Sequence, residues 1–196
     1  MSTTSFARFD RAFANVTAAS AGGAPFLLAY GGTLLAVGLL GFSQSHRITA
    51  LLTLFQGNLA LPLAFWLERR LGVERLAADN PLRPLSVQLA ISQLFALPAA
   101  VLGYVLAPWT VPAMVAFIAA AHLLPYAWLQ RTRAYIGVSA LVSAGALALA
   151  LTLRDASGPW VLLLMGAVYW GAAAWVHRHA ARLTALERHA HVSEAA

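Results

Sequence analysis

The chain has 196 residues, of which 60% are apolar and only 10% charged, and its formal net charge is +6. Soluble domains carry roughly 25% charged residues, so this composition favours a single membrane domain over a soluble fold. Cysteine is absent, which excludes a disulfide framework and any metal site or nucleophile built on cysteine.

Residues 1–24 precede the first long apolar run, and two interpretations of them stay open. Phe6, Phe9, Phe13 and Val16 recur at helical spacing, which is typical of a short helix lying in the membrane interface. A disordered tail in which aromatic residues fall at this spacing by chance would show the same pattern. The apolar run begins too far from the N-terminus to indicate a cleavable signal peptide.

Six apolar stretches follow, each about as long as a membrane-crossing helix. They are residues 25–42, 48–67, 84–106, 109–129, 134–153 and 159–177. We therefore predict an all-α, polytopic membrane protein, with a bundle of six transmembrane helices over residues 25–177 and a tail over 178–196. In the fourth stretch Trp109 and Trp128 would lie roughly 28 Å apart, as expected of anchors in the two interfaces of a bilayer.

The arginines give this bundle an orientation. All 13 basic residues are arginine, and 11 of them lie in the N-terminal segment, the second and fourth connections and the C-terminal tail. Cytoplasmic loops are enriched in basic residues, so both termini are predicted to be cytoplasmic in a bacterial inner membrane. The expected partners are the lipid bilayer and its anionic headgroups at the cytoplasmic face, and not nucleic acid.

Small residues also shape the expected packing. Glycines recur in residues 25–42, and glycine and serine recur in residues 134–153. Such residues allow close approach of membrane helices, so these two spans should pack deep in the bundle. The same pattern is compatible with a homo-oligomer.

The residue types that usually carry catalysis are missing from the predicted spans. All seven acidic residues and all the arginines lie outside them, and no motif of a metalloprotease, serine hydrolase or phosphate-binding loop is present. The pairs His177/His179 and His189/His191 are two residues apart, so their side chains do not face one another on a helix. We expect no enzyme, no cofactor and no metal.

A polar cluster is predicted near the middle of the membrane. Pro62, Pro98 and Pro125 lie inside predicted spans, and each lacks the amide that would bond the carbonyl four residues earlier. A polar side chain lies beside each freed carbonyl, and Tyr30 and Tyr169 lie at similar depth. Tyr126 lies one turn beyond His122 on the same face of its helix. The candidate site residues are Asn58, Gln93, His122, Tyr126 and Tyr169.

Two interpretations of this cluster compete. In the first, the polar side chains hold kinked helices together, since an unsatisfied polar group is costly in hydrocarbon. In the second, broken helices surround a small polar cavity at the midplane, where transporters often place their binding sites. His122 is the one ionisable residue in mid-span, which supports the second interpretation.

Two motifs resemble those of a known family. Asn80-Pro81-Leu82 precedes the third stretch, and the sequence AHLLPYAWLQRTRAY covers residues 121–135. Together they resemble a family of small bacterial six-span membrane proteins of unknown function, with an NPL linker and a HLLPY-type motif. The resemblance covers about residues 50–145, at Asn80, Pro81, Leu82, Gln93, His122, Leu123, Leu124, Pro125, Tyr126 and Trp128. It implies the fold and a bacterial membrane, and no activity.

The sequence thus leaves two functional hypotheses. In one, the protein transports or senses a small polar or cationic solute through the midplane cluster. In the other, it is a structural or regulatory membrane module that acts through lateral contacts between helices. A water-filled cavity that reaches the cluster would favour the first hypothesis, and a dry, packed cluster would favour the second.

Overall fold

The computed structural model describes residues 3–71 and 76–194, and side chains within 9–71 and 76–182. Most residues of these ranges are helical and none lies in a strand, which confirms the predicted all-α class for the described part. Residues 72–75 of the long connection, and the side chains of Phe6, His189 and His191, lie outside the part that the structure describes. The helices are α1 (Thr3–Ala18), α2 (Ala24–Gly41), α3 (His46–Phe55), α4 (Gly57–Arg70), α5 (Arg83–Ser92), α6 (Leu97–Leu106), α7 (Val111–Leu129), α8 (Ala134–Leu153) and α9 (Ser157–Glu194).

Five helical stretches of the described chain are long and apolar enough to cross a membrane. They are Ala21–Gly41, His46–Arg70, Arg83–Leu106, Pro108–Leu129 and Ala134–Arg182. The fifth contains two of the six predicted spans, because α8 and α9 follow each other with only a short 3₁₀ turn between them. At Arg154 the backbone leaves the helical region (φ 49°, ψ −121°). Gly145 faces Leu164 across this turn, so the two helices form an antiparallel hairpin.

The helix α9 also runs further than the sequence predicted. It continues without interruption through residue 177, the predicted end of the last span, to Glu194. The predicted tail over residues 178–196 is therefore helical as far as the structure describes it.

Two of the three prolines are preceded by a break in their helix. The segment α3–α4 is interrupted at Gln56, six residues before Pro62, and α5 and α6 are separated by a short 3₁₀ turn and Ala96 just before Pro98. The helix α7 runs through Pro125 without interruption. A proline thus does not by itself decide whether its helix breaks.

Four helices form the inner group of the bundle, and the others lie around them. The main cluster of buried side chains comes from α2, α7, α8 and α9. By contrast, α5 buries no residue, and α4 buries only Ala60 and Ala64. Ser139 on α8 donates a hydrogen bond to the Ala120 carbonyl on α7, 2.8 Å away, which adds a polar link within the inner group.

The closest helix contact joins α2 to α9, and small residues make it possible. A methyl group added to Gly166 would lie only 2.8 Å from the carbonyl oxygen of Gly31, and one added to Gly38 would lie 3.1 Å from Leu163. The indole nitrogen of Trp170 donates to the Leu28 carbonyl across the same interface, at 3.1 Å. Small residues thus allow close approach in this α2–α9 seam. Both spans singled out for their small residues, α2 and α8, contribute to the buried cluster, but the close partner of α2 is α9, which was not singled out.

The helix α1 packs across one end of the bundle, which we call the arginine-rich end. There α2 begins, α4 ends, α5 begins, α7 ends and α8 begins. On α1, Phe13 and Val16 are buried against Leu82 and Leu129, while Phe9 is exposed. The helix is thus held against the protein by its inner face.

Asn80 of the NPL motif attaches α1 to the long connection. Its amide nitrogen donates to the Ala12 carbonyl at 2.9 Å and to the Asn15 side-chain oxygen at 3.0 Å. Its own side-chain oxygen accepts a bond from the Leu82 amide at 2.8 Å. The two bonds that Asn80 donates hold α1 against the connection, and the bond that it accepts fixes the local turn before α5.

Candidate ligand-binding cavity

A cavity of about 340 Å³ lies inside the bundle, between the inner helices and the arginine-rich end. Its volume falls within the range of roughly 300–1,000 Å³ that is typical of small-molecule sites. It extends from Leu34, in the middle of α2, and Val115, in the first turns of α7, to Ser20 and Gln130 beneath α1. Most of its lining is apolar, with a limited number of polar side chains.

Four of the chain's five tyrosines line this cavity, each from a different helix. They are Tyr30 on α2, Tyr126 on α7, Tyr135 on α8 and Tyr169 on α9. Tyr135 donates its hydroxyl to the Gly22 carbonyl at 2.5 Å. Tyr169 is 95% buried, being only 5% exposed, yet its hydroxyl makes no hydrogen bond with another described residue. A hydroxyl beside a cavity that has no protein partner is available to bond a ligand or water.

His122 connects the cavity wall to α5. Its Nδ1 lies 3.2 Å from the Ser92 hydroxyl oxygen, and the same hydroxyl donates to the Leu89 carbonyl at 2.8 Å. Since that bond uses the one hydroxyl proton, Nδ1 of a neutral His122 carries the hydrogen and donates to Ser92. Nε2 then keeps an acceptor lone pair. The ring also contacts Tyr126 edge-on, with the centroids 5.4 Å apart.

Gln56 lines the cavity at the point where α3 gives way to α4. Thr33 on α2 lies 2.6 Å from its side-chain oxygen, which joins two helices beside the cavity. Gln93 approaches the cavity from the corresponding interruption between α5 and α6. Both glutamines therefore project from irregular turns inside otherwise helical segments.

Several residues close the cavity at the arginine-rich end. Gln130 is 3% exposed, and its amide nitrogen donates to the Ser20 hydroxyl at 3.0 Å. Ser20 in turn donates to the Val16 carbonyl at 3.0 Å. Gly23 has a positive φ of 83°, and any side chain there would collide with the Tyr135 hydroxyl. These contacts fix the turn between α1 and α2 against the bundle.

Outside these contacts, one ion pair joins α1 to the end of α7. The Arg131 guanidinium lies 2.6 Å from the Asp10 carboxylate, and both side chains are substantially exposed. The guanidinium carbon also lies 4.4 Å from the centre of the Phe13 ring. Arg131 therefore has partners within the protein, in addition to any lipid headgroup.

The structure brings together four of the five candidate site residues. Gln93, His122, Tyr126 and Tyr169 line the cavity, whereas Asn58 does not. Asn58 lies on the exposed side of α4 and makes no hydrogen bond with another described residue. It was selected because it lies four residues before Pro62, but the helix breaks at Gln56, and Gln56 occupies the cavity wall instead.

Sequence reasoning also missed lining residues that no local pattern marks. Tyr135 and Gln130 lie near span ends, where polar and amphipathic residues are common. Ser20 lies outside every predicted span. These three residues meet because the turn after α1 packs against the end of α7 and the start of α8.

Two outer helices, α4 and α5, line one side of the cavity. Leu61 on α4 and both Ser86 and Ala90 on α5 line it, but α4 and α5 do not pack closely against each other. The cavity therefore reaches the space between these two helices. Among the described side chains, no group of three or more metal-binding residues occurs.

The described chain is thus an all-helical protein with five stretches of membrane-crossing length and composition, around a polar-spotted internal cavity. It belongs to a family of unknown function, DUF7010, whose match covers residues 10–179. Membership of an uncharacterised family was predicted and is confirmed at that level. Searches of curated proteins and of solved structures found no match. Every residue that lines the cavity lies within the matched range.

Proposed function

We propose that the protein is a six-span integral membrane protein of a bacterial inner membrane, with both termini in the cytoplasm. The hairpin at Arg154 supports the count of six, because it divides the fifth apolar stretch into two antiparallel helices. Large apolar side chains are exposed along the bundle, such as Phe95 at 82%, Leu106 at 74% and Leu151 at 70%. Lipid would cover these side chains, whereas extensive apolar exposure to water is unfavourable.

Reporter fusions test this topology. A reporter active only in the cytoplasm should work after Arg83, Arg133 or Ala196, and should fail near Ser45 or Ser157. Activity at Ser157 would contradict the six-span arrangement, since that position follows the proposed hairpin turn. Activity at Ser45 would contradict the orientation.

We further propose that the protein moves or senses a small solute that enters the cavity, and that it is not an enzyme. The observation that carries this proposal is the cavity itself, in which His122, Gln93 and unpaired tyrosine hydroxyls face a shared space between helices. We propose that a solute enters between α4 and α5, which both line the cavity and do not pack closely against each other. The described lining holds one histidine and no acidic side chain, which offers little for acid–base catalysis.

Single cysteines test whether the cavity admits water and solutes, because the natural chain contains none. Ala119 lines the cavity, while Ala121 lies two residues further along α7 on the exposed side. With the protein in vesicles, Ala119→Cys should react with hydroxyethyl methanethiosulfonate, since a hydrated thiol forms the reactive thiolate. Ala121→Cys, at the same depth but facing hydrocarbon, should react at least about tenfold more slowly.

The comparison of these two variants has a clear negative outcome. Equal, slow reaction at both positions would mean that the cavity is dry and would contradict a transport or sensing role. Fast reaction at both would mean that Ala121 is also hydrated and would contradict the proposed membrane placement of α7.

A specific observation favours a second candidate function, a structural or regulatory module that acts through lateral contacts. Asn58 lies midway along the His46–Arg70 stretch, yet it is exposed and unpaired among the described residues. An unpaired amide in hydrocarbon is costly, so a second helix would satisfy it. On this hypothesis Asn58→Leu should convert a homo-oligomer to a monomer in mild detergent, whereas Leu59→Ala beside it should not. An unchanged oligomeric state would contradict it.

A further inference from the structure

The cavity combines aromatic walls with a lining that carries no formal charge. Tyrosines from four helices, together with Phe26, face the same space. The chain has 13 arginines and seven acidic residues, but none of those described lies in the lining. The described charged side chains therefore lie away from a cavity whose lining includes several aromatic rings.

This lining argues against two classes of ligand. A small inorganic cation needs about six oxygen ligands to replace its hydration shell, and the lining contains no carboxylate. An anion is usually bound by arginine or by converging backbone amides. The described lining contains no arginine, and Gln130 at its end is already bonded to Ser20.

The same lining suits an organic cation. The faces of tyrosine rings attract ammonium groups, and clusters of such rings recognise alkylated ammonium ions. Tyr126 and Tyr135 lie with their ring centroids 5.9 Å apart, and the Tyr169 hydroxyl is available as an acceptor. The apolar remainder of the lining would contact the alkyl substituents of such a ligand.

We propose that the cavity binds a small organic ammonium ion, through the faces of Tyr126 and Tyr135 and the hydroxyl of Tyr169. This inference rests on the proposed function, because it assigns a ligand class to the same cavity. It differs from the binding of a neutral solute in one measurable respect. The cavity should prefer a positively charged ligand to a neutral one, although no acidic side chain lines it.

Three reagents of similar size, which differ in their head group, test this preference. Aminoethyl, hydroxyethyl and sulfonatoethyl methanethiosulfonates each transfer their thioethyl group to a thiolate and release methanesulfinate. Their rates are measured on purified Ala119→Cys protein and divided by the rates on Ala78→Cys, an exposed position in the connection at the same end. We expect the ammonium reagent to be favoured over the hydroxyl reagent by about tenfold, and the sulfonate to be the slowest.

Tyrosine variants in the Ala119→Cys protein then test the cause. Tyr126→Leu should reduce the preference for ammonium over hydroxyl several-fold, while Tyr126→Phe should keep it, since the ring face persists. Tyr104→Leu removes the one tyrosine that does not line the cavity and should leave the ratio unchanged. The hydroxyethyl rate in each variant reports whether the cavity still exists, which separates loss of preference from loss of fold.

The outcomes separate this inference from the proposed function. Rapid labelling by the hydroxyl reagent without an ammonium preference would overturn the inference and leave the solute-binding cavity supported. A preference that persists in Tyr126→Leu would overturn the assigned role of that ring. Failure of all three reagents at Ala119→Cys would contradict the cavity's accessibility and therefore the proposed function itself.

Discussion

The α2–α9 seam and the cavity wall are built on opposite principles. At the seam, Gly31 and Gly166 bring two backbones so close that no side chain fits between them. At the cavity, α4 and α5 stay apart, and polar side chains project from interrupted helices into the space that is left. In the first region the helices approach closely because glycine has no side chain. In the second region, interrupted helices and large aromatic residues border a space that remains open.

The difference shows how one small bundle can hold both a rigid core and an internal space. Membrane helices are joined chiefly by close packing and by a few hydrogen bonds. The seam supplies the close packing, while His122–Ser92 and Gln56–Thr33 supply hydrogen bonds at the cavity. We therefore expect substitutions at the seam to affect stability most strongly, and substitutions around the cavity to affect it less.

Gly166→Leu should have the largest effect. The added side chain would collide with the Gly31 carbonyl and with Leu35, and overpacking of this kind costs about 3 kcal/mol. Gly171→Leu is the matched control on the same helix, because nothing lies within 4 Å of an added methyl group there. Melting temperatures in detergent should fall steeply for the first variant and little for the second. A similar melting temperature for both would contradict the seam.

Asn80→Ala should have the next largest effect, by releasing α1 from the arginine-rich end. It leaves the buried Ala12 carbonyl and Leu82 amide without their partner, at a cost of about 2 kcal/mol. A cysteine placed at the buried Ala12 should then label rapidly in the Asn80→Ala protein and slowly in its parent. Asn58→Ala, at an exposed amide, is the control. Slow labelling in all three proteins would show that Asn80 does not hold α1.

His122→Leu should cost about 0.5–2 kcal/mol, the range for a hydrogen bond between membrane helices. Ser92→Ala should cost a similar amount, and the double variant should cost no more than either one alone, since both remove the same bond. His122→Gln should be tolerated, because glutamine can still donate to Ser92. Additive costs would show that His122 acts independently of Ser92. If His122 instead changes protonation during transport, both His122 variants should lose activity while keeping their melting temperatures.

The two arginines after α7 should give the smallest effects and should respond differently to lipid. Arg131→Gln loses the exposed pair with Asp10, which is worth less than about 1 kcal/mol. Arg133, for which no ion pair is found among the described residues, should interact with anionic headgroups at about 1 kcal/mol. In bilayer discs, Arg131→Gln should lower the melting temperature in both zwitterionic and anionic lipid. Arg133→Gln should do so in anionic lipid only, and the same response in both lipids would contradict headgroup binding.

The sequence by itself determined the helical class and the extent of most apolar helices. Apolar runs of about 20 residues have few alternatives to a helix, because hydrocarbon cannot satisfy a free backbone amide. Prolines and polar residues within these runs predicted a site in mid-span. Four of the five predicted residues do line one cavity, namely Gln93, His122, Tyr126 and Tyr169. The fifth predicted residue, Asn58, does not line the cavity, and Gln56 does so instead. A proline in the sequence gives the position of a missing backbone hydrogen bond, but not the direction in which the helix turns there.

Only the tertiary structure decided what closes the cavity and which tyrosines meet there. Tyr30 and Tyr135 are 105 positions apart in the chain, and no local periodicity relates them. Hydropathy could not tell whether Phe13 lies on a lipid surface or under the protein, because both environments are apolar. Its burial against the bundle depends on partners such as Asn80 and Leu129, which lie far away in sequence. Span length is a local property of the chain, whereas the cavity is a property of how distant helices pack.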